Sequence, residues 1–287
     1  MSHAPFSPCM KIGIVGLGLI GGSLGLDFRA LGHQVLGVSR KPQTCELALQ
    51  RGAVDQASDD LSLLSTADVV FICTPLGSMR NVVERLIPYL YTDAIVTDVG
   101  SVKASVVDAL HPLWPRFLGG HPMSGTEAAG IEAAQSNLFQ GNSYVLTPVD
   151  ETPAEIIPIV EPLVQSLGGT VYKCAPAEHD RAVAWISHLP AIASTTLIAA
   201  CLQETDSDVF KLAQDLASSG FRDTSRVGGG NPELTRMMAE HNPDALLQSL
   251  RAYRQTLDQL TQLIEQGDWD TLEAQCIQTQ KIRPQFM

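Results

Sequence analysis

The residue types and spacing most suited to chemistry begin at Gly16-x-Gly18-x-x-Gly21. A glycine at the first position permits a tight turn off a strand, one at the second lets the backbone approach a pyrophosphate, and one at the third lets a helix pack closely on a sheet. The unpaired N–H groups and positive dipole end of the following helix attract phosphate. Gly16, Gly18, Leu19, Ile20 and Gly21 are therefore dinucleotide-binding candidates, the alternative being a purely structural glycine turn. Ser39-Arg40-Lys41 stands where an NAD site usually carries an acid. A hydroxyl, a guanidinium and an ammonium suit a 2′-phosphate, so NADP is the expected cofactor. The alternative is that Arg40 and Lys41 are solvated loop charges.

Further on, His121-Pro122-Met123-Ser124-Gly125-Thr126-Glu127 follows a pair of glycines. A histidine on such a loop can take a proton or a hydrogen bond from a substrate hydroxyl as hydride leaves for a nicotinamide. Its ordinary pKa of about 6.5 suits neutral solution. The competing reading is a structural histidine. Glu127 either orients an imidazole or gates the site, or it is a solvated loop carboxylate. His188, in Ser187-His188-Leu189-Pro190, interrupts an apolar helical run and needs a polar partner, backbone or ligand, and Pro190 is expected to kink that helix. His179 falls nearer the expected exposed start of the same helix. In residues 220–228, Arg222 and Arg226 flank Asp223. One guanidinium is then held by Asp223 while Arg226 receives an anion bidentately, the alternative being an interdomain salt bridge.

These groups must be carried by elements that the hydrophobic pattern predicts. Apolar runs at 11–15, 35–38, 68–73 and 94–98, with weaker strands near 53–56, 143–147 and 169–174, alternate with helical patterns. The runs at 68–73 and 94–98 are almost continuously apolar, as in strands buried on both faces of a parallel sheet. Ligands of open parallel sheets lie outside the carboxyl edges of the strands. The loops Cys73-Thr74-Pro75 and Gly100-Ser101 are therefore expected to line the cofactor. Ser101 either caps the next helix or touches substrate or nicotinamide. Thr152 and Asp60 are expected to cap helices, as are Asn231 and Asn242, each followed by proline.

From residue 176 onward the periodicity is helical. The expected fold class is thus an α/β Rossmann-type, doubly wound and mostly parallel sheet followed by an all-α domain. Residues 1–9 are expected to form a ragged or disordered tail, 10–175 an NADP-binding domain, and 176–287 a dimerisation and substrate domain. The helix at 177–203 is apolar all round in its second half, and the simplest way to bury it is against a second copy, giving a homodimer. Leu246, Leu250, Tyr253, Leu257, Leu260 and Ile264 form a stripe on a later helix that reads as core.

The net charge of −12 argues against nucleic acid and anionic membranes as partners. No apolar run is expected to span a bilayer and no signal pattern opens the chain, so a cytoplasmic enzyme is expected. Six scattered cysteines lack metal-ligand spacing, so no metal is expected.

Five blocks in order carry a resemblance: the GLGLIGGS turn, Asp98-Val99-Gly100-Ser101-Val102-Lys103, the His121–Glu127 segment, Ser187–Pro190, and Gly220–Arg226. On these the chain resembles the prephenate/arogenate dehydrogenases of tyrosine biosynthesis, in particular the monofunctional cyanobacterial-type arogenate dehydrogenases. The resemblance implies oxidative decarboxylation of arogenate, or alternatively prephenate. His121 would accept the proton of the ring hydroxyl and Ser101 would touch that hydroxyl or the nicotinamide. Arg226, with Asp223 nearby, would clamp the ring carboxylate. His188, Thr126 and Glu127 would line the side-chain pocket, and the helical domain would form the dimer. No fused mutase or regulatory domain is expected, so any inhibition by tyrosine would act at the active site. Two other readings are a different β-hydroxyacid-type dehydrogenase, disfavoured because residues 177–203 lack a lysine, and a non-enzymatic NADP sensor.

Overall fold

A computed structural model describes residues 9–126 and 128–286, so the expectations for the first eight residues and for Glu127 lie outside the described residues. Eight strands form one sheet in the order β3-β2-β1-β4-β5-β6-β7-β8. They are β1 (Lys11–Val15), β2 (Gln34–Val38), β3 (Gln56–Ser58), β4 (Val69–Ile72), β5 (Ile95–Asp98), β6 (Phe117–Pro122), β7 (Ser143–Thr147) and β8 (Thr170–Lys173). The first six run parallel, β7 is antiparallel to β6, and β8 is parallel to β7. Helices α1 (Leu19–Ala30), α2 (Pro42–Gln50), α3 (Leu76–Leu86), α4 (Ala104–Leu110) and α5 (Ile157–Gln165) accompany the sheet. Everything from Pro176 on is helical: α6 (Pro176–Val183), α7 (Leu189–Cys201), α8 (Ser207–Leu216), α9 (Ser219–Ser225), α10 (Pro232–His241), α11 (Pro243–Gln266) and α12 (Trp269–Ile282). The doubly wound class expected from the sequence is the one observed.

Alternation along the central strands explains why the sheet is sealed on both faces. Ile12, Ile14, Val69 and Phe71 point into one core with Leu24 and Phe28 of α1, whereas Val15, Val70 and Ile72 point into the other with Val83 and Leu86 of α3. Phe71 is fully buried against Phe28, and truncating it to alanine is expected to cost about 3–5 kcal/mol. The chain goes from β1 outward to β2 and β3, then returns to the other side of β1 for β4. That reversal opens a crevice at the carboxyl edge, where register brings the β1, β2 and β4 exits level: Gly16 N–H donates to Val38 O (2.8 Å) and Cys73 N–H to Val15 O (2.7 Å).

Several local expectations are corrected. Thr152 does not cap a helix: α5 starts only at Ile157, with Pro158 in its first turn, and Thr152 Oγ1 accepts from Val149 N–H. Asp60 and Asn231 do cap, accepting from the backbone N–H of Ser62 and Glu233. Asn242 does not cap α11, since its amide is used elsewhere. The α6–α7 helix passes Pro190 through a π-helical turn at Ala184–His188. Widening the turn accommodates the missing N–H of Pro190 and its ring's clash with the preceding turn.

By length and composition the 26-residue stretch Pro176–Cys201 is apolar enough to cross a bilayer, contrary to the expectation that no run would be. Its charges are confined to the first two turns. Within one chain α7 buries only Ala191 and Ser194. The α11 stripe is likewise not core within one chain: Leu246 is buried, but Leu257 and Ile264 are more than half exposed. Between α7 and α11 runs a groove of about 390 Å³ lined by Ile192, Ala193, Leu250, Tyr253 and Leu257.

Candidate active site

A crevice of about 1280 Å³ lies at the carboxyl edge of the sheet, walled on its far side by the helical half. Its floor begins at the glycine turn. Gly16 has φ +102° and a Cβ there would sit 2.6 Å from Cys73 O, so only glycine fits. Gly21 does not line the crevice; it lets α1 close on the turn, where a Cβ would meet Gly16 O at 2.1 Å. The space over Gly18 is open, and Gly18, Leu19 and Ile20 present the start of α1 to the crevice. Ser39, Arg40 and Lys41 line one end, together with Thr44 and Asp59. Cys73, Thr74, Pro75, Gly100 and Ser101 line the middle, and Thr74 Oγ1 is buried there without a protein partner. An open glycine turn, a helix start and an orphaned hydroxyl make a cradle that fits a dinucleotide.

His121 lies in the same crevice, but inside β6 rather than on a loop after a strand. Strand β6 outruns its parallel neighbour and is held there by antiparallel β7, which pairs Val145 with His121. The ring is buried. Its Nδ1 lies 2.8 Å from His179 Nε2, and His179 Nδ1 lies 2.8 Å from Asp180 Oδ1. A carboxylate only accepts, so His179 Nδ1 donates to it and His179 Nε2 must accept from His121 Nδ1. His121 Nε2 is thereby left as the acceptor, the form a proton-abstracting base needs. Burial first, then His179, Lys103 and His188, hold its pKa well below the ordinary 6.5.

His179, expected near an exposed helix start, is buried because that start docks on the sheet half. Asp180 accepts from Lys103 N–H (2.7 Å) and Ala104 N–H (2.8 Å), capping α4 from across the boundary. Ser101, one of whose expected roles was that cap, makes no such bond and faces the crevice instead. His188 does not line the crevice; its neighbours Ile186 and Ser187 do. It is buried, its Nδ1 is 3.3 Å from Asn242 Nδ2, and its Nε2 has no protein partner. Burial pushes its pKa down to about 4. Asn242 also donates to Asp180 O at 2.8 Å.

Arg226 lines the crevice from the helical half, as do Asn231 and Thr235. Asp223 does not: it is exposed and pairs with Arg222 at 3.1 Å. Thr126 and Ser124 line the crevice. The sequence reading missed Asp98, Lys103, Asp180 and Asn242. A lysine following a buried strand and an acid beside a histidine were the available signals, but charged residues are usually exposed.

A doubly wound nucleotide-binding sheet, a poised histidine at its edge and a helical half closing over it define a two-part, dinucleotide-dependent dehydrogenase. Residues 24–173 match the family "Prephenate dehydrogenase, nucleotide-binding domain" and residues 175–278 match "Prephenate dehydrogenase, dimerization domain". The chain belongs to the prephenate dehydrogenase family. It is 53% identical to the Synechocystis arogenate dehydrogenase structure, covering 97% of this chain and 100% of that one with a TM-score of 0.87. It is 26% identical to prephenate dehydrogenase from A. aeolicus, solved with hydroxyphenyl propionate and NAD+, covering 98% and 99% with a TM-score of 0.90. Cyclohexadienyl dehydrogenase of Zymomonas mobilis is 32% identical over 279 residues, 95% of this chain and 94% of the relative.

Proposed function

We infer that this chain is an NADP-dependent arogenate dehydrogenase, converting arogenate to tyrosine with loss of carbon dioxide. The observation that carries the reading is the placement of His121, with its acceptor nitrogen set by His179 and Asp180, in one crevice with the glycine turn and Arg226. Bound NADP+ supplies the hydride acceptor. His121 Nε2 takes the proton of the ring 4-hydroxyl as hydride leaves the same carbon. The bond from the ring to its carboxylate then breaks, and its electron pair restores aromaticity. The proton held by His121 returns to the phenolate, so none is gained or lost overall. Arg226 holds the ring carboxylate until that bond breaks, and Ser101 touches the hydroxyl or the nicotinamide edge. Thr126 lines the side-chain pocket, His188 supports it from behind Ile186 and Ser187, and Asp223 keeps Arg222 away from it.

Arogenate is preferred as substrate on the 53% identity to an arogenate dehydrogenase. The likeness to prephenate dehydrogenases favours prephenate as a second reading, giving 4-hydroxyphenylpyruvate. NADP preference rests on Ser39, Arg40 and Lys41 at the crevice end, where a bidentate guanidinium suits a 2′-phosphate. Residues 10–175 serve as the cofactor domain and 176–287 as the dimerisation and substrate domain. The uncovered faces of α7 and α11 meet a second copy rather than lipid, giving a soluble, cytoplasmic homodimer.

The test is to incubate purified protein with NADP+ or NAD+ and either arogenate or prephenate, following nicotinamide reduction by absorbance. Faster turnover of arogenate with NADP+ is expected. No turnover of either acid overturns the reading. Light scattering is expected to give twice the mass of one chain.

A further inference from the structure

The segment Asp98–Lys103 leaves an unused feature. Lys103 and Asp98 form an ion pair whose side chains are both wholly buried. Such a pair pays a large desolvation cost, and well-packed apolar residues would often be at least as stable. Its bonds lead to the backbone beside Ser101 and beside His121. Asp98 accepts from Gly100 N–H at 2.7 Å, beside Ser101, and from Gly120 N–H at 3.1 Å, beside His121. Lys103 Nζ donates to Gly120 O at 2.7 Å, and Lys103 N–H donates to Asp180, which holds His179. The close approach depends on small neighbours: a Cβ at Gly100 would lie 2.9 Å from Asp98 Oδ2, and one at Gly120 would lie 2.7 Å from Asp98 O.

We propose that Lys103, paired with Asp98, is a positioning residue for the reaction, its side chain holding Ser101 and His121 in one geometry through Asp98 and Gly120. It does not line the crevice and acts through Gly120 and Asp98. The proposal rests on the dehydrogenase reading above. A second consequence concerns charge. His121 is faced by Lys103 at the start of α4, Asp98 on β5, His179 and Asp180 on α6, and His188 in the π turn; Tyr144 and Cys73 lie near Asp98. The Lys103 ammonium adds to burial in disfavouring protonation of the imidazole. Removing it therefore moves the acid limb of kcat/KM upward, toward the ordinary histidine value of about 6.5.

The test compares Lys103→Met and the neutral double variant Lys103→Gln/Asp98→Asn with the parent, as the full-length chain. It measures kcat, KM, the pH profile of kcat/KM, NADPH affinity by fluorescence, and folding by circular dichroism. Misplacing the catalytic groups by about 1 Å is expected to lower kcat roughly 100-fold. NADPH affinity should stay near the parent value, and the acid limb should shift upward in Lys103→Met, which loses the ammonium alone. An inactive parent overturns the dehydrogenase reading and this proposal with it. An active parent with a folded variant that retains parental kcat and acid limb overturns the proposal alone. If neither variant folds, the pair serves stability only and the proposal is also overturned.

Discussion

His121 Nδ1 and His179 Nε2 stand 2.8 Å apart, joining strand β6 to the first helix beyond the sheet. With Asp180 on the far side of His179, this contact determines which nitrogen of His121 can accept a proton. It also makes the hydrogen bonding of His121 a property of both halves of the chain.

Replacing His121 by Asn removes the acceptor from the crevice. A loss of about 10²–10⁴-fold in kcat is expected, with KM near the parent value, since proton abstraction is made in the transition state. Steady-state kinetics with saturating NADP+ would show it, and an unchanged kcat would remove His121 from the mechanism.

Asp180→Asn reverses the chain of donors. An amide nitrogen donating to His179 Nδ1 forces His179 Nε2 to carry hydrogen, and His121 Nε2 then also carries one and cannot accept. The kcat is expected to fall roughly 10²-fold or more. Asn can still receive one α4 N–H bond through its oxygen, so a folded protein is expected in the same preparation. Full activity in a folded Asp180→Asn variant would refute the tautomer assignment.

The acid side of the pH response follows from lowered histidines, His121 for catalysis and His188 with His33 for stability. His121 stays neutral in the folded free enzyme well below 6.5, so kcat/KM should be flat through neutrality and fall only at lower pH. Stability behaves differently. Unfolded histidines take up protons below about 6.5, whereas folded His188 does so only near 4. The unfolded state therefore gains protons first, and stability should drop as pH falls between those values, by at most about 1.4 kcal/mol per pH unit for each such group. Denaturant titrations at a series of pH values would measure the slope; a stability that rises on acidification through this window contradicts the burial of neutral His188.

Arg226→Ala should act mainly on KM. Leaving a ligand carboxylate without its guanidinium is expected to cost about 2 kcal/mol, or roughly 30-fold. Equal KM values for variant and parent would exclude the clamp.

Ser39→Asp combined with Arg40→Gln replaces a phosphate pocket by an acceptor for ribose hydroxyls. The ratio of kcat/KM for NADP+ over NAD+ should fall, and an unchanged ratio would show that the 2′-phosphate is recognised elsewhere.

How much of this was legible before folding varies by residue. The strand, glycine turn and helix from Lys11 to Ala30 follow from local pattern alone, because period-two burial and turn geometry are properties of neighbours in sequence. That His121 and Arg226, from the two halves of the chain, line a single crevice depends on packing and on no local pattern. The exposed stripe of α11 looked like core because amphipathic period does not say what covers a helix, whether its own chain or another.

The order of the five blocks and their residue types were enough to identify the family and the two-part build, since both depend on local sequence. The contacts of His179, Lys103 and Asp180 were decided only by tertiary structure. His179 lies 58 positions from His121 and Asp180 lies 77 from Lys103. Charged groups of this kind are placed by the docking of α6 on the sheet, which supplies the burial and the hydrogen-bond partners that no short stretch of chain contains.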